Sequence, residues 1–327
     1  MKAKIGDVAK SAGVSPTTVS RVLNDRGYIS DKTREKVQKA MKELNYFPND
    51  VARSLFKKRS NLIGIILPTT SNPFFGELTF HLENICNSLG YKVLLCNSLN
   101  QMDKEERYLE MLLRNQVDGI IVGTHNQGIL DYHKQNLAIV AIDRYLSDTV
   151  PVVSSDNYEG GKIATELLIT EGCKHVVLID SVGELETPAR LRRNAYVDIM
   201  LKNGKKPIIY EIPKIFDRQS QREVADIIFT EHPEVDGVFA TNDLFAASFI
   251  AEAKKRGKDV PGQIKVVGYD GTETVQTLFP ELTTIKQPIN LMAKKAIDIL
   301  DRQMEGEFNN LQLETSLPIT LLRGSTT

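Results

Sequence analysis

The chain has 327 residues, of which 41% are hydrophobic and 25% charged, too long for one small domain, so two or three globular units are expected. The net charge of −1 hides an asymmetry: residues 1–60 carry 14 Lys+Arg against 6 Asp+Glu, and residues 61–327 carry 27 against 36. A basic head on an acidic body confines contact with a polyanion to the head.

Apolar residues recur at helical spacing from Ile5 (Ile5, Val8, Ala9, Ala12), and Val19, Val22 and Leu23 repeat the pattern. Between the two runs, Ala12-Gly13-Val14-Ser15 makes a tight turn. Gly13 can take the positive φ that ends a helix; Ser15 is a good N-cap and Pro16 suits the first helical position. Two short helices joined in this way make a helix-turn-helix, whose second helix enters the DNA major groove by its N-terminal end. That end presents Ser15, Pro16, Thr17, Thr18, Ser20 and Arg21 to base edges and phosphates. Ordinary three-helix bundles contain such helix pairs too, so the residues C-terminal to the pair carry weight. Residues 30–44 form a third amphipathic helix, with Ser30 as N-cap and Val37, Met41 and Leu44 inward. Pro48 stops it, Asn49 can cap a new segment, and Val51, Ala52 and Leu55 share one face. A helix of about two turns does not persist alone in water, so this segment is expected to fold only when something packs on it.

The run DVAKSAGVSPTTVSRVLN, then TREKVQKAMKELNYFPNDVARSL, resembles the lactose/galactose-repressor (LacI/GalR) family of bacterial transcription regulators, and the resemblance extends over essentially the whole chain. It implies a helix-turn-helix DNA-binding domain at residues 1–48, a hinge helix and linker at 49–60, and an effector-binding and dimerisation body at 61–327. The hinge, residues 49–57, would order on DNA beside its twin from a second subunit. Leu55 matches the leucine that wedges into the minor groove at the operator centre, and an apolar wedge does open a base step and bend the duplex. Ala52 matches the small residue at which two hinges touch, and Asn24, Tyr28 and Asn49 complete the DNA-contacting set that the family implies.

From Asn61 on, short apolar runs alternate with helical stretches. Strands are expected at 62–67, 92–97, 119–123, 138–143, 151–156, 175–180, 208–212, 237–241, 264–270 and 318–322, with helices near 74–89, 103–115, 158–171, 188–203, 217–230, 242–256 and 288–304. Strands this uniformly apolar, spaced by helices, argue for parallel sheets covered on both faces. Ten of them suit two doubly wound lobes better than one sheet. The family body is likewise similar to periplasmic sugar-binding proteins, with two lobes, three crossovers and a cleft. That likeness gives the first lobe about 61–158 plus 286–327, and the second about 159–285.

Ligands of such folds sit beyond the carboxyl ends of the strands and between lobes. The residues there are Phe74 and Phe75 in TTSNPFFGEL, Asp143-Arg144, Asn242-Asp243 and Asp270, with Arg192 in RLRRNAY. Rings suit the apolar face of a sugar; carboxylates, amides and guanidinium suit its hydroxyl rim. Asp143, Arg192, Asn242 and Asp270 fall where the family has effector-contacting residues, and Phe74 and Phe75 where some members place a ring. Asn242 and Asp243 also suit helix caps, Phe75 also suits a core, and the Arg190-Arg192-Arg193 cluster leaves room for a phosphorylated sugar. VVSSDNYEGG, VVGYDGT, LTTIKQP, NQVDGII and HNQGILDY look like sucrose-operon repressors of Gram-positive bacteria, which implies sucrose, fructose or a related sugar or sugar phosphate.

Three rival readings are weaker. An enzyme lacks its motifs: there is no GxSxG, HExxH or GxGxxG after a strand, and Gly160-Gly161-Lys162 is followed by Ile163 rather than Ser or Thr. A sugar-binding protein without regulatory role does not need a basic head. A global catabolite regulator with a phosphocarrier co-repressor would carry Tyr and Arg where QPINLMAKKAIDIL places Asn290 and Asp298. The three cysteines, Cys86, Cys96 and Cys173, show neither CxxC nor metal-ligand spacing and are read as buried small hydrophobes; no cofactor or metal is implied. With no secretion signal and no apolar run of about 18 residues, cytoplasmic residence is expected. No leucine-heptad tail follows Arg323, so a homodimer on a pseudo-palindromic operator is expected.

Overall fold

The computed structural model describes residues 3–47, 59–124, 137–182, 187–214, 217–308 and 311–327, and the chain divides into two units, Met1–Ser60 and Asn61–Thr327. The first unit holds α1 (Ile5–Ala12), α2 (Pro16–Leu23) and α3 (Asp31–Glu43). Gly13 takes φ +67° and closes α1, with Val14 N–H donating to Ala9 O at 3.0 Å. Ser15 Oγ accepts the Thr18 N–H at 3.1 Å and Ser30 Oγ that of Thr33 at 3.4 Å, so both expected N-caps are present. Val8, Ala9, Ala12, Val19, Val22, Val37 and Ala40 make the core, flanked by Met41 and Leu44. A core this small owes much of its definition to these local caps, each contributing about 1 kcal/mol.

The second unit is two sheets of six strands among the described residues. The first contains β1 (Leu62–Leu67), β2 (Lys92–Asn97), β3 (Gly119–Val122), β4 (Ala138–Ile142), β5 (Val152–Ser155) and β11 (Glu314–Leu317), in the order β11-β5-β4-β3-β1-β2, all parallel. The second contains β6 (Val176–Ser181), β7 (Ile209–Ile212), β8 (Gly237–Ala240), β9 (Lys265–Asp270), β10 (Thr283–Lys286) and β12 (Thr320–Leu322), in the order β12-β10-β9-β8-β6-β7. Its edge strand β12 is antiparallel to β10. The helices are α4 (Pro73–Ser88), α5 (Met102–Arg114), α6 (Asn157–Thr170), α7 (Leu191–Lys202), α8 (Arg218–Glu231), α9 (Asp243–Lys255), α10 (Glu273–Leu278) and α11 (Ile289–Met304).

Both faces of each sheet are covered, which is why the strands are apolar on both sides. In β1, Ile63, Ile65 and Leu67 pack with α4 and α11, while Ile66 packs with Leu109 and Leu112 of α5. In the second sheet, α8 and α9 cover one face and α6 and α7 the other. Each buried Ile or Leu of these layers contributes about 1.5–3 kcal/mol. Close packing of α6 on α7 depends on Gly161, where a Cβ would lie 2.4 Å from the Arg192 carbonyl oxygen. Among the described residues no helix is long and apolar enough to cross a membrane.

Several details depart from expectation. Strands β10 and β11 and helix α10 are additions to the expected elements. Residues 188–203 open as a 3-10 turn, Pro188–Arg190, before α7 begins at Leu191. The chain from 286 to its end does not stay in the first lobe: β12 joins the second sheet, and Val266 N–H donates to Thr326 O at 2.8 Å. The assignment of 286–327 to lobe one is therefore corrected at about residue 318. Three crossings join the lobes among the described residues: Ser155 to Asn157, Lys286 to Ile289, and Leu317 to Thr320.

Candidate functional site

On the head, Ser15, Pro16, Thr17, Arg21 and Tyr28 are exposed, and Thr18, Ser20 and Asn24 are half-buried. Tyr28, at 96% exposure, projects from the loop between α2 and α3 with nothing packed on it. The Ser15 and Thr18 hydroxyls lie 2.9 Å apart and bond each other, and Asn24 Nδ2 donates to Ser20 O at 2.8 Å. These three side chains thus shape the ends of α2, whereas Pro16, Thr17 and Arg21 have no such engagement among the described residues. Asn49, Ala52 and Leu55, the rest of the expected hinge and the HNQGILDY segment lie outside the described residues.

In the body, Asp143, Arg192 and Asp270 are brought together at the carboxyl ends of the strands. Asp143 follows β4 in the first lobe with φ +51°. Arg192 lies in the first turn of α7 in the second lobe, and its Nη2 is 3.8 Å from Asp143 Oδ2 with both side chains buried. Burying two charges is costly unless their remaining bonds are made, and here they are. Asn157 donates from Nδ2 to Asp143 Oδ1 at 3.0 Å and accepts Arg192 Nε–H at Oδ1 at 2.7 Å. Arg192 Nη1 donates to the Thr241 carbonyl at 2.8 Å, and its guanidinium lies 3.6 Å from the centre of the Tyr269 ring, a cation–π contact.

Asp270 ends β9 with φ +120°, a conformation that a non-glycine residue holds only under constraint. Gln287 supplies it: its Nε2 donates to Asp270 Oδ1 at 2.7 Å, and its Oε1 accepts the Ser155 hydroxyl at 2.7 Å. Asp243 lies beside it, accepting the Gly271 N–H at 2.8 Å and the Thr284 hydroxyl. Burial pushes the Asp243 carboxyl up to about 7, against the pull of those hydrogen bonds and of Arg192. Burial, and then the neighbouring Asp243 charge, push Asp270 up as well. At the end of β6, Asp180 accepts the Thr241 hydroxyl at 2.9 Å, and burial raises it too.

Asn242 uses Oδ1 to cap α9, accepting the Phe245 N–H at 2.9 Å, and its Nδ2 has no partner among the described residues. Phe75 is half-buried, edge-on to Phe74 at 5.2 Å. Phe74 departs from its expected role: its ring is part of the first-lobe core with Leu78, Leu82 and Ile65, because it falls on the inward face of α4. The basic cluster also resolves, with Arg192 inward and Arg193 paired with Glu211. Sequence reasoning misses Asn157, Tyr269 and Gln287 as site residues. They lie within VVSSDNYEGG, VVGYDGT and LTTIKQP; Asn157 and Gln287 sit at crossings and Tyr269 at the carboxyl end of β9, and those positions are the available signal. Cys86, Cys96 and Cys173 are free and buried, as expected.

A helix-turn-helix unit joined to a bilobed body, with guanidinium, amide and carboxylates converging between the lobes, defines a ligand-responsive DNA-binding regulator. Residues 4–49 match the model of the bacterial regulatory proteins of the lacI family, and residues 60–310 that of the periplasmic binding proteins and sugar-binding domain of the LacI family. The chain belongs to the LacI family and is a transcriptional repressor rather than an enzyme. It is 43% identical over 328 residues to the sucrose operon repressor of Pediococcus pentosaceus, covering 100% of both chains. It is 41% identical over 298 residues to the ribose operon repressor of Bacillus subtilis, covering 91% of this chain and 90% of the other. A solved structure of the lac repressor dimer bound to operator and the anti-inducer ONPF is 28% identical, with a TM-score of 0.88, and the match covers 100% of this chain and 99% of that one.

Proposed function

We propose that the chain is a cytoplasmic homodimeric repressor of a carbohydrate-utilisation operon, released from or fixed on a pseudo-palindromic operator by a sugar of the sucrose or fructose type held between its lobes. Residues 1–48 are the DNA-reading domain, 49–60 the hinge, and 61–327 the sensor and dimerisation body. Pro16, Thr17 and Arg21 meet base edges and phosphates at the start of α2, flanked by Ser15, Thr18, Ser20, Asn24 and Tyr28. Asn49, Ala52 and Leu55 belong to the hinge, where Leu55 is the wedge. Arg192, Asp143, Asn242 and Asp270 hold the hydroxyls, and Phe75 offers a ring edge.

The observation that carries this reading is the Arg192–Asp143 pair, which bridges the lobes through Asn157. A polyol with vicinal hydroxyls takes over these donors and acceptors, and so alters the spacing of the lobes. The strength of such coupling is typically about 5- to 150-fold in affinity and is reciprocal. Fluorescence anisotropy with a duplex from upstream of the chain's own operon tests it. Operator affinity should change by a factor in that range with saturating sucrose or fructose, and sugar affinity should change by the same factor with operator present. An affinity that no sugar alters overturns the reading.

A further inference from the structure

We infer that Asp243, which is not itself among the sugar-contacting residues, is the positioning residue for Asp270: it holds the backbone on both sides of that carboxylate and so fixes where it stands at the cleft. The inference rests on the reading of the cleft as a sugar site and adds the group that keeps one of its carboxylates in place.

Asp270 is constrained from two directions. From the crossing, Gln287 Nε2 donates to its Oδ1 at 2.7 Å and the Gln287 N–H donates to its carbonyl at 3.0 Å. Those bonds stop at Asp270 itself and do not reach the residues that flank it. Asp243 reaches them. It is the first residue of α9 and is 2% exposed. Its Oδ2 accepts the Gly271 N–H at 2.8 Å, its Oδ1 accepts the Thr284 hydroxyl, and the Tyr269 backbone bonds it as well. One carboxylate thus grips the chain before and after the residue whose φ is +120°, a conformation that persists only where its surroundings over-determine it.

Strand β9 is shaped to admit that carboxylate. A Cβ at Gly268 would lie 2.4 Å from Asp243 Oδ1, so any larger residue there drives the carboxylate from its seat. Leu282 and Ala246, the other neighbours of that Cβ, stand at 3.2 and 3.4 Å and yield more easily. Thr284 pairs with Gly268 across the sheet, which brings its hydroxyl to the same carboxylate. An acid in the first turn of α9 also meets the helix dipole favourably, but that role calls for no bonds to β9. Burying a carboxyl this deeply is costly, and no direct ion pair offsets it among the described residues. The bonds it does make all converge on the segment that carries Asp270.

The test titrates sucrose and fructose calorimetrically into the full-length protein and its variants. Asp243→Ala should lower sugar affinity about tenfold or more, because Asp270 is no longer preorganised. Asp243→Asn should stay within about threefold of the parent, since its amide oxygen takes the Gly271 N–H and the Thr284 hydroxyl turns to accept from its amide N–H. Gly268→Ala, which leaves every acid in the chain, should weaken sugar binding as Asp243→Ala does. The double variant Gly268→Ala/Asp243→Ala should lose no more than either alone, because the clash then has no partner. Parental sugar affinity in a cooperatively melting Asp243→Ala protein, an Asn variant as weak as the alanine one, or losses that add in the double variant overturns the inference and leaves the sugar-site reading in place. Should Asp243→Ala fail to fold, Gly268→Ala decides: parental sugar affinity there overturns the inference. If the parent protein binds neither sugar, the sugar-site reading falls and the inference with it.

Discussion

The strands of the first lobe run β11-β5-β4-β3-β1-β2 and those of the second β12-β10-β9-β8-β6-β7, so each position in one sheet has a counterpart in the other. Asp143 follows β4 and Asp270 ends its counterpart β9, and both have positive φ, +51° and +120°. The same backbone device delivers a carboxylate to the cleft from each side. Their electrostatic settings are opposite: Asp143 faces Arg192 and Asn157, while Asp270 faces the Gln287 amide and a second acid, Asp243. A shared strand order therefore sets where a carboxylate is held, and the crossings that approach it set what it does.

Substitution of Arg192 by Ala gives the largest test of that contrast. It leaves Asp143 buried without its counter-charge, which costs about 3–5 kcal/mol, and abolishes the response of operator binding to sugar. Urea denaturation and operator titration read both effects. Adding Asp143→Asn to Arg192→Ala should recover part of the stability; no recovery would mean that the pair is not coupled. The second-lobe side should respond to pH instead. The Asp243 carboxyl takes up its proton at about 7 when folded and near 4 when unfolded. The folded state then holds the extra proton between those values, so stability falls as pH rises from about 4 to about 7. Measured by denaturant midpoint across that range, Asp243→Asn should gain about 2–4 kcal/mol on the parent protein, and parallel profiles would refute the assignment. The smallest effect is that of Asn242→Ala. Loss of the α9 cap should cost about 1 kcal/mol, while sugar affinity drops by more than that loss of stability explains. Unchanged sugar affinity would make Asn242 a cap only.

The head is legible in the sequence because its signals are local. Gly13, Ser15, Pro16 and Ser30 each act within four residues, and all four do what their chemistry dictates. The body strands are legible where burial on both faces makes them uniformly apolar. Thr283–Lys286 reads TTIK and Glu314–Leu317 reads ETSL, too polar and too short to stand out, and Glu273–Leu278 is a six-residue helix. The polar centre is legible only in part. Asp143, Arg192 and Asp270 follow from strand ends and the family likeness, but the bond from Ser155 to Gln287 joins residues 132 positions apart. No local pattern encodes a contact of that separation, so the residues that hold the carboxylates in place stay hidden while the carboxylates themselves do not.

Strands β11 and β12, at Glu314–Leu317 and Thr320–Leu322, complete one sheet each. On the ribosome, where N-terminal domains generally fold first as they emerge, the α1–α3 unit can mature early. Neither sheet of the sensor has its last strand until residues 314–322 have been translated. A nascent chain of this protein therefore carries a finished DNA reader for some time before it has anything to govern it.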